Sequence, residues 1–212
     1  PPLAARLSAL QVQQACHALF MDAMKGVVAD FYRLLPAQLQ ASLALRGDSG
    51  GQPLTALLQR GLDQLRAPLA RQFTEAYPMH PELRGGVPDT PPGSPSDPID
   101  MERVDDWIRR TTIAQHVVES IGPPFDDFSR HYSSLLYGKG KPVAHPFQPD
   151  AVLSVLADLI APLKLSPDGR VFCYELMGKA FEQHALPLYQ AMLDVLGNAP
   201  PESMHPPQQF SS

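Results

Sequence analysis

Residues 53–73, PLTALLQRGLDQLRAPLARQF, place Leu54, Leu57/Leu58, Leu62, Leu65, Leu69 and Phe73 at intervals of three and four. A helix turns about 100° per residue, so this spacing lines one side of a long helix with apolar groups. Working outward, Val104, Trp107/Ile108, Thr111, Ala114, Val118 and Ile121 repeat the pattern, as do Val152, Val155/Leu156 and Leu159. Toward the N-terminus Val12, Cys16, Leu19/Phe20, Ala23, Val27, Phe31 and Leu34 do the same. No stretch alternates as a strand would. These stripes predict an all-α protein, a multi-helix bundle of long amphipathic helices interrupted by one Pro/Gly-rich connector.

Proline and glycine set the expected boundaries. Pro36 ends a first helix running from about Ala9 to Leu35, because the residue before proline is pushed out of the helical region. A short second helix carries Leu39, Leu43 and Leu45 and closes at Gly47. Pro53 opens the helix that ends near Tyr77, and Pro68 should kink it without breaking it, since the stripe continues through Phe73. Gly122-Pro123-Pro124 turns the chain into a helix lined by Phe125, Phe128, Tyr132 and Leu135/Leu136. Pro149 starts another. Ser166-Pro167-Asp168 reads as a cap, a preset φ and a favourable charge at the start of a last helix, which bends at Pro187 and stops at Gly197. Residues 1–77 thus form an N-terminal helical hairpin region, and 99–197 a C-terminal helical region packing with it. Between them, residues 78–98, PMHPELRGGVPDTPPGSPSDP, hold seven prolines and three glycines in 21 positions. Such a segment is a spacer that neither forms a helix nor packs a core. Residues 198–212 are expected to be a disordered tail.

Bulk chemistry excludes several functions. The net charge is -5 with 18% charged residues, and the only basic clusters are Arg109-Arg110 and Lys139-Gly140-Lys141. Phosphate recognition needs more clustered cations than that, so no nucleic-acid partner is expected. No apolar run reaches the ~18 residues that span a bilayer, so no membrane insertion is expected. Cys16 and Cys173 are the only cysteines and both fall on helical stripes. They read as reduced thiols without a disulfide, which points to the cytoplasm. The chain begins Pro-Pro without Met, which suggests a fragment or a trimmed chain.

Gly47-Asp48-Ser49-Gly50-Gly51 spells the pentapeptide around a serine-protease nucleophile, but that chemistry needs an oriented histidine on a β scaffold. Between two helices it reads as a polar turn. Arg46-Gly47-Asp48 and Gly138-Lys139-Gly140-Lys141 likewise lack the context of an integrin ligand or a phosphate loop. Seven histidines are present, and none pairs with another at one-turn spacing to hold a metal. No metal and no cofactor are expected, and no catalytic residue is assigned. His184 lies on the stripe Cys173, Met177, Ala180, His184 and Leu188, where a core role competes with a functional one. Asp105-Asp106 and Asp126-Asp127 read as carboxylates favoured by helix dipoles.

Three segments carry a family resemblance. They are Val104-Asp105-Asp106-Trp107-Ile108, then His145-Pro-Phe-Gln-Pro-Asp-Ala-Val-Leu153, then Phe181-Glu-Gln-His-Ala-Leu-Pro-Leu-Tyr-Gln-Ala-Met-Leu193. In this order they resemble the bacterial domain of unknown function 1631 family, whose long multidomain chains are sometimes labelled thymidine phosphorylase. Its members show an acidic-Trp helix, an N-P-x-G-P-E helix start and an F-x-x-H-V-L-x-x-L-x-x-L-Y helix. Here His145 stands where Asn is usual. The resemblance covers Asp100 to Gly197 well and the opening helix, with Ala18-Leu19-Phe20-Met21-Asp22, only loosely. It implies the helical N-terminal portion of a longer bacterial protein and transfers no catalytic residue.

The primary expectation is therefore a non-catalytic interaction or scaffolding module that self-associates or docks a protein partner. Trp107, Phe125, Tyr132 and Tyr189 are its candidate interface residues, because aromatics concentrate interface energy. The alternative is a regulatory domain for a small ligand, or one linked to a cyclic-dinucleotide receptor in signalling, although no arginine-rich binding motif is present. An enzyme with a bundle-core site near His184 is the other form of that alternative. It requires His184, Cys173 and His116 within reach of one another. A third possibility makes the 78–98 connector a docking ligand.

Overall fold

A computed structural model describes residues 8–46, 51–78, 101–137 and 144–197. Among the described residues the chain forms seven α-helices and no strand, so the all-α expectation holds. They are α1 (Ala9–Arg46), α2 (Gly51–Gln64), α3 (Arg66–Thr74), α4 (Met101–Ile121), α5 (Pro123–Tyr137), α6 (Pro149–Ile160) and α7 (Pro167–Gly197), with a 3-10 turn at Ala161–Leu163. The 78–98 connector beyond Pro78, the 198–212 tail, the Gly47–Gly50 part of the pentapeptide and the Gly138–Lys141 stretch all lie outside the described residues.

α7 is the axis of the bundle. It packs against α1, α4, α5 and α6, while α3 lies on α1. The α1 seam keeps Val12, Cys16, Phe20, Val27 and Phe31 of the predicted stripe buried, but Met24 and Leu35 take the buried places expected for Ala23 and Leu34, which are half-buried, and Leu39 extends the line. Cys173, Leu176, Met177, Ala180, Phe181, Ala185, Leu188, Tyr189 and Met192 of α7 are buried with them. Fully burying one such large side chain contributes about 1.5–3 kcal/mol, so this seam dominates the fold.

Two proline expectations are corrected. α1 does not end at Leu35 but continues through Pro36 to Arg46, absorbing the expected second helix. Pro36 is exposed, while Leu35 and Leu39, about 100° and 60° around the helix from it on the same side, are buried. The missing hydrogen bond therefore opens toward water, and burial of Leu39 keeps the helix on track. Pro68 does the reverse and breaks the rod expected to run to Tyr77. Pro68 has no N–H for the Gln64 carbonyl, and its ring crowds that oxygen. α2 stops at Gln64, the Leu65 amide is shared between the carbonyls of Gly61 (3.2 Å) and Leu62 (3.1 Å), and α3 starts afresh. Pro68 then occupies the first turn of α3, where its missing donor costs nothing.

Other signals act as read. Gly122 takes φ +67°, a left-handed conformation that closes α4 with its amide on the Val118 carbonyl at 3.0 Å. Ser166 Oγ accepts from the Gly169 amide at 3.2 Å and caps α7. Pro149 begins α6, and α7 runs through the exposed Pro187 without interruption.

Candidate functional site

The three residues of the enzyme or ligand-sensor alternative are not brought together. Cys173 and His184 lie on the same helix eleven positions apart, about 16 Å of rise. Cys173 is fully buried, and burial pushes its thiol up to about 12, as it does for Cys16. A thiol so shifted has almost no nucleophilic thiolate at neutral pH. His116 is exposed on α4. The most evident recess is lined by Val117, Pro149, Val152, Leu153, Met177, Gly178 and Phe181. It contains no titratable group and has no room for a water-sized sphere. Among the described residues no group of three or more His, Cys, Asp or Glu could hold a metal ion.

His184 instead joins two helices. Its Nε2 lies 2.8 Å from Asp30 Oδ2, and Asp30 Oδ1 accepts from Arg33 Nε at 2.8 Å. These bonds, from Arg33 first and His184 second, hold the Asp30 carboxyl below the ordinary range. Arg33 also donates to Gln183 at 3.2 Å, and Lys179 donates to Gln38 at 3.1 Å, extending a polar seam between α1 and α7. The ring lies over Gly26, where a Cβ would stand only 2.5 Å from His184 Cε1. Gly26→Ala is therefore expected to displace the imidazole and destabilise the protein, despite alanine's better helix propensity of up to about 1 kcal/mol. In a His184→Ala background the same substitution should stabilise by about that amount. Urea unfolding of the four chains measures this, and an equal effect in both backgrounds would rule out the steric coupling.

The paired acids are likewise structural. Asp106 accepts from Arg170 Nε at 2.7 Å and from the Tyr174 hydroxyl at 3.0 Å. Arg170 also reaches Glu102 at 2.8 Å and the Leu165 carbonyl at 3.0 Å, clasping the starts of α4 and α7. This corrects the dipole reading for Asp106, which lies beyond the first turn of α4 and acts through a cross-helix ion pair. Asp127 pairs with Arg130 at 3.2 Å, while Asp126 does occupy the first turn of α5.

Of the four candidate interface aromatics, Tyr132 and Tyr189 are fully buried, which corrects their assignment to the surface. Phe125 is half-buried against Tyr189, ring centroids 5.3 Å apart. All three belong to a cluster with Phe128, His145 and Phe147. The loop at 145–147 enters this cluster because two tyrosine hydroxyls hold its backbone. Tyr77 donates to the Pro146 carbonyl and Tyr189 to the Phe147 carbonyl, each at 2.6 Å. His145 itself is buried, with Nε2 2.9 Å from Ser129 Oγ, and burial pushes its pKa down to about 3. This neutral Ser–His pair has no carboxylate partner among the described residues and no opening to solvent; it pairs Ser129 Oγ with one ring nitrogen, while the buried His145 Nδ1 has no hydrogen-bond partner.

Trp107, like Phe125, is half-buried; it sits on one flank of α4 with its Nε1 enclosed and without a hydrogen-bond partner. α4 carries two of the four large apolar side chains that are exposed among the described residues: Met101 is 64% and Ile108 47% exposed, two turns apart on one face with Val104 half-buried between them. Leu10 on α1 (62%) and Leu186 on α7 (45%) each stand alone on their helices. Asp105 and Arg109 border the same face, both exposed. No spacing argument could single out this face, because Ile108 belongs to the same apolar stripe as buried Ala114 and Ile121. Comparison with protein-family models, with curated proteins and with solved structures finds no match.

Proposed function

We propose that the chain is a helical interaction and scaffolding module that presents the outer face of α4 to another protein surface. The observation that carries this reading is the exposure of Met101 and Ile108 on one side of a helix whose opposite side is locked into the bundle. Covering such side chains contributes about 1.5–3 kcal/mol each when complete, a sufficient reason for a partner to bind there. Support also comes from how the polar groups are used: Asp30, Asp106, Arg170 and His184 all join helices, and none lines the recess between Val117 and Phe181. On the resemblance over Asp100–Gly197 we read this module as the N-terminal part of a longer bacterial protein, and the two buried free thiols fit a reducing cytoplasm. Among the described residues no helix is long and apolar enough to cross a membrane.

Site-specific photo-crosslinking tests the reading. A photoreactive phenylalanine analogue at position 108 is expected to form a discrete protein adduct in the native host, whereas the same group at the exposed Glu175 position of α7 should not. Absence of any adduct from position 108 would overturn the proposal.

A further inference from the structure

We infer that the partner of this face is a second copy of the chain, its α4 lying antiparallel to the first about a two-fold axis near Trp107; the inference rests on the α4 docking reading above. The charges on the face are self-complementary. Asp105 and Arg109 lie one turn apart on the same exposed flank, two positions to either side of Trp107, and neither forms an ion pair among the described residues. Glu102, the other acid at this end of α4, is already engaged by Arg170. A two-fold axis perpendicular to the helices exchanges positions equally far from the centre, so Asp105 of each copy meets Arg109 of the other. A parallel two-fold would instead set this charged flank against the opposite flank of the other copy, so neither Asp105 nor Arg109 would meet a charge of the other sign. In the antiparallel pair the flank carrying Val104 and Ile108 also meets itself, so these two side chains cover those of the other copy while the charges pair along the edge; Met101, six positions from the axis, lies at the level of Thr112 and Ile113 of the other copy. One helix face supplies an interface at the small end of the specific range, below about 1,200 Å², so the dimer is a weak one that depends on protein concentration.

Sedimentation velocity over a wide concentration range, with charge-reversed chains, tests this. The unmodified chain is expected to shift from monomer to dimer as concentration rises. Asp105→Arg and Arg109→Asp should each weaken the dimer about tenfold, because each turns two attractive contacts into two repulsive ones. An equimolar mixture of these two variants, and the double variant Asp105→Arg/Arg109→Asp, should both recover the original affinity. Circular-dichroism melting should match for all chains, since both side chains are exposed and unbonded. A chain that stays monomeric throughout, or reversals that leave dimerisation untouched, would overturn the second-copy assignment. In either case an adduct from position 108 with a different protein would leave the interaction reading standing, whereas no adduct at all would remove both.

Discussion

Replacing Phe128 with alanine is expected to lower the folding free energy by about 3–5 kcal/mol, the usual cost of emptying a buried aromatic site. Phe128 is fully buried, with ring centroids 5.2 Å from Tyr132, 5.2 Å from His145, 5.6 Å from Tyr189 and 6.1 Å from Phe147. These neighbours come from α5, α7 and the loop before α6, so a void there loosens three parts of the chain together. Collapse into the void is restricted, because the hydroxyls of Tyr77 and Tyr189 pin the loop backbone at Pro146 and Phe147. Phe128→Leu leaves a smaller void and should lose less. Urea unfolding followed by circular dichroism gives both values. A loss below about 1 kcal/mol for the alanine variant would mean that this cluster is not part of the cooperative core.

Acid is expected to destabilise the protein well before its carboxylates titrate, and His145 is the reason. Its folded value lies near 3, whereas an unfolded histidine titrates near 6.5. Between those limits the unfolded chain binds a proton that the folded chain refuses. Stability from this group is therefore complete above pH 6.5 and falls by about 1.4 kcal/mol for each unit below it, or roughly 3 kcal/mol at pH 4.5. Asp30 acts in a separate window: its folded value is depressed, so its contribution holds above the ordinary carboxylate value of 3.8 and is lost only as pH falls lower. Asp150 is raised, first by burial, and so opposes the loss by favouring the folded state as pH falls toward its own range. Comparison with a Ser129→Ala/His145→Phe variant isolates the histidine, since the replacement removes the titrating ring and its hydrogen-bond partner together. That variant should show a flatter dependence between pH 6.5 and 4.5 in urea unfolding. Parallel curves for the two proteins would show that His145 is not held neutral inside the core.

Much of the helix inventory was legible because its causes are local. Ser166 capping the Gly169 amide, Pro149 at the start of α6 and Gly122 at φ +67° each follow from the backbone options of one or two residues. Pro36 and Pro68 show where local reasoning stops. Both lack the same donor, yet one is carried inside a continuous helix and the other ends one, because Leu35 and Leu39, flanking the exposed Pro36, are buried against the rest of the bundle. The candidate interface was less legible. Tyr132, Tyr189 and Trp107 all lie on apolar stripes, and no spacing rule separates an aromatic that meets the 145–147 loop from one on an outer flank. The Asp30–His184 contact joins positions 154 residues apart and depends on how α1 slides against α7.

By itself, then, the order of residues determined that the chain is helical, where most helices begin, and which stripes are apolar, since periodicity, capping and proline stereochemistry act over a few neighbouring bonds. Only the tertiary packing decided which aromatic groups are enclosed, which acids find cations, and that Met101 and Ile108 remain uncovered on α4. Those outcomes depend on relative helix placement, which is set by the summed burial of many side chains distant in the chain and by no single stretch of it.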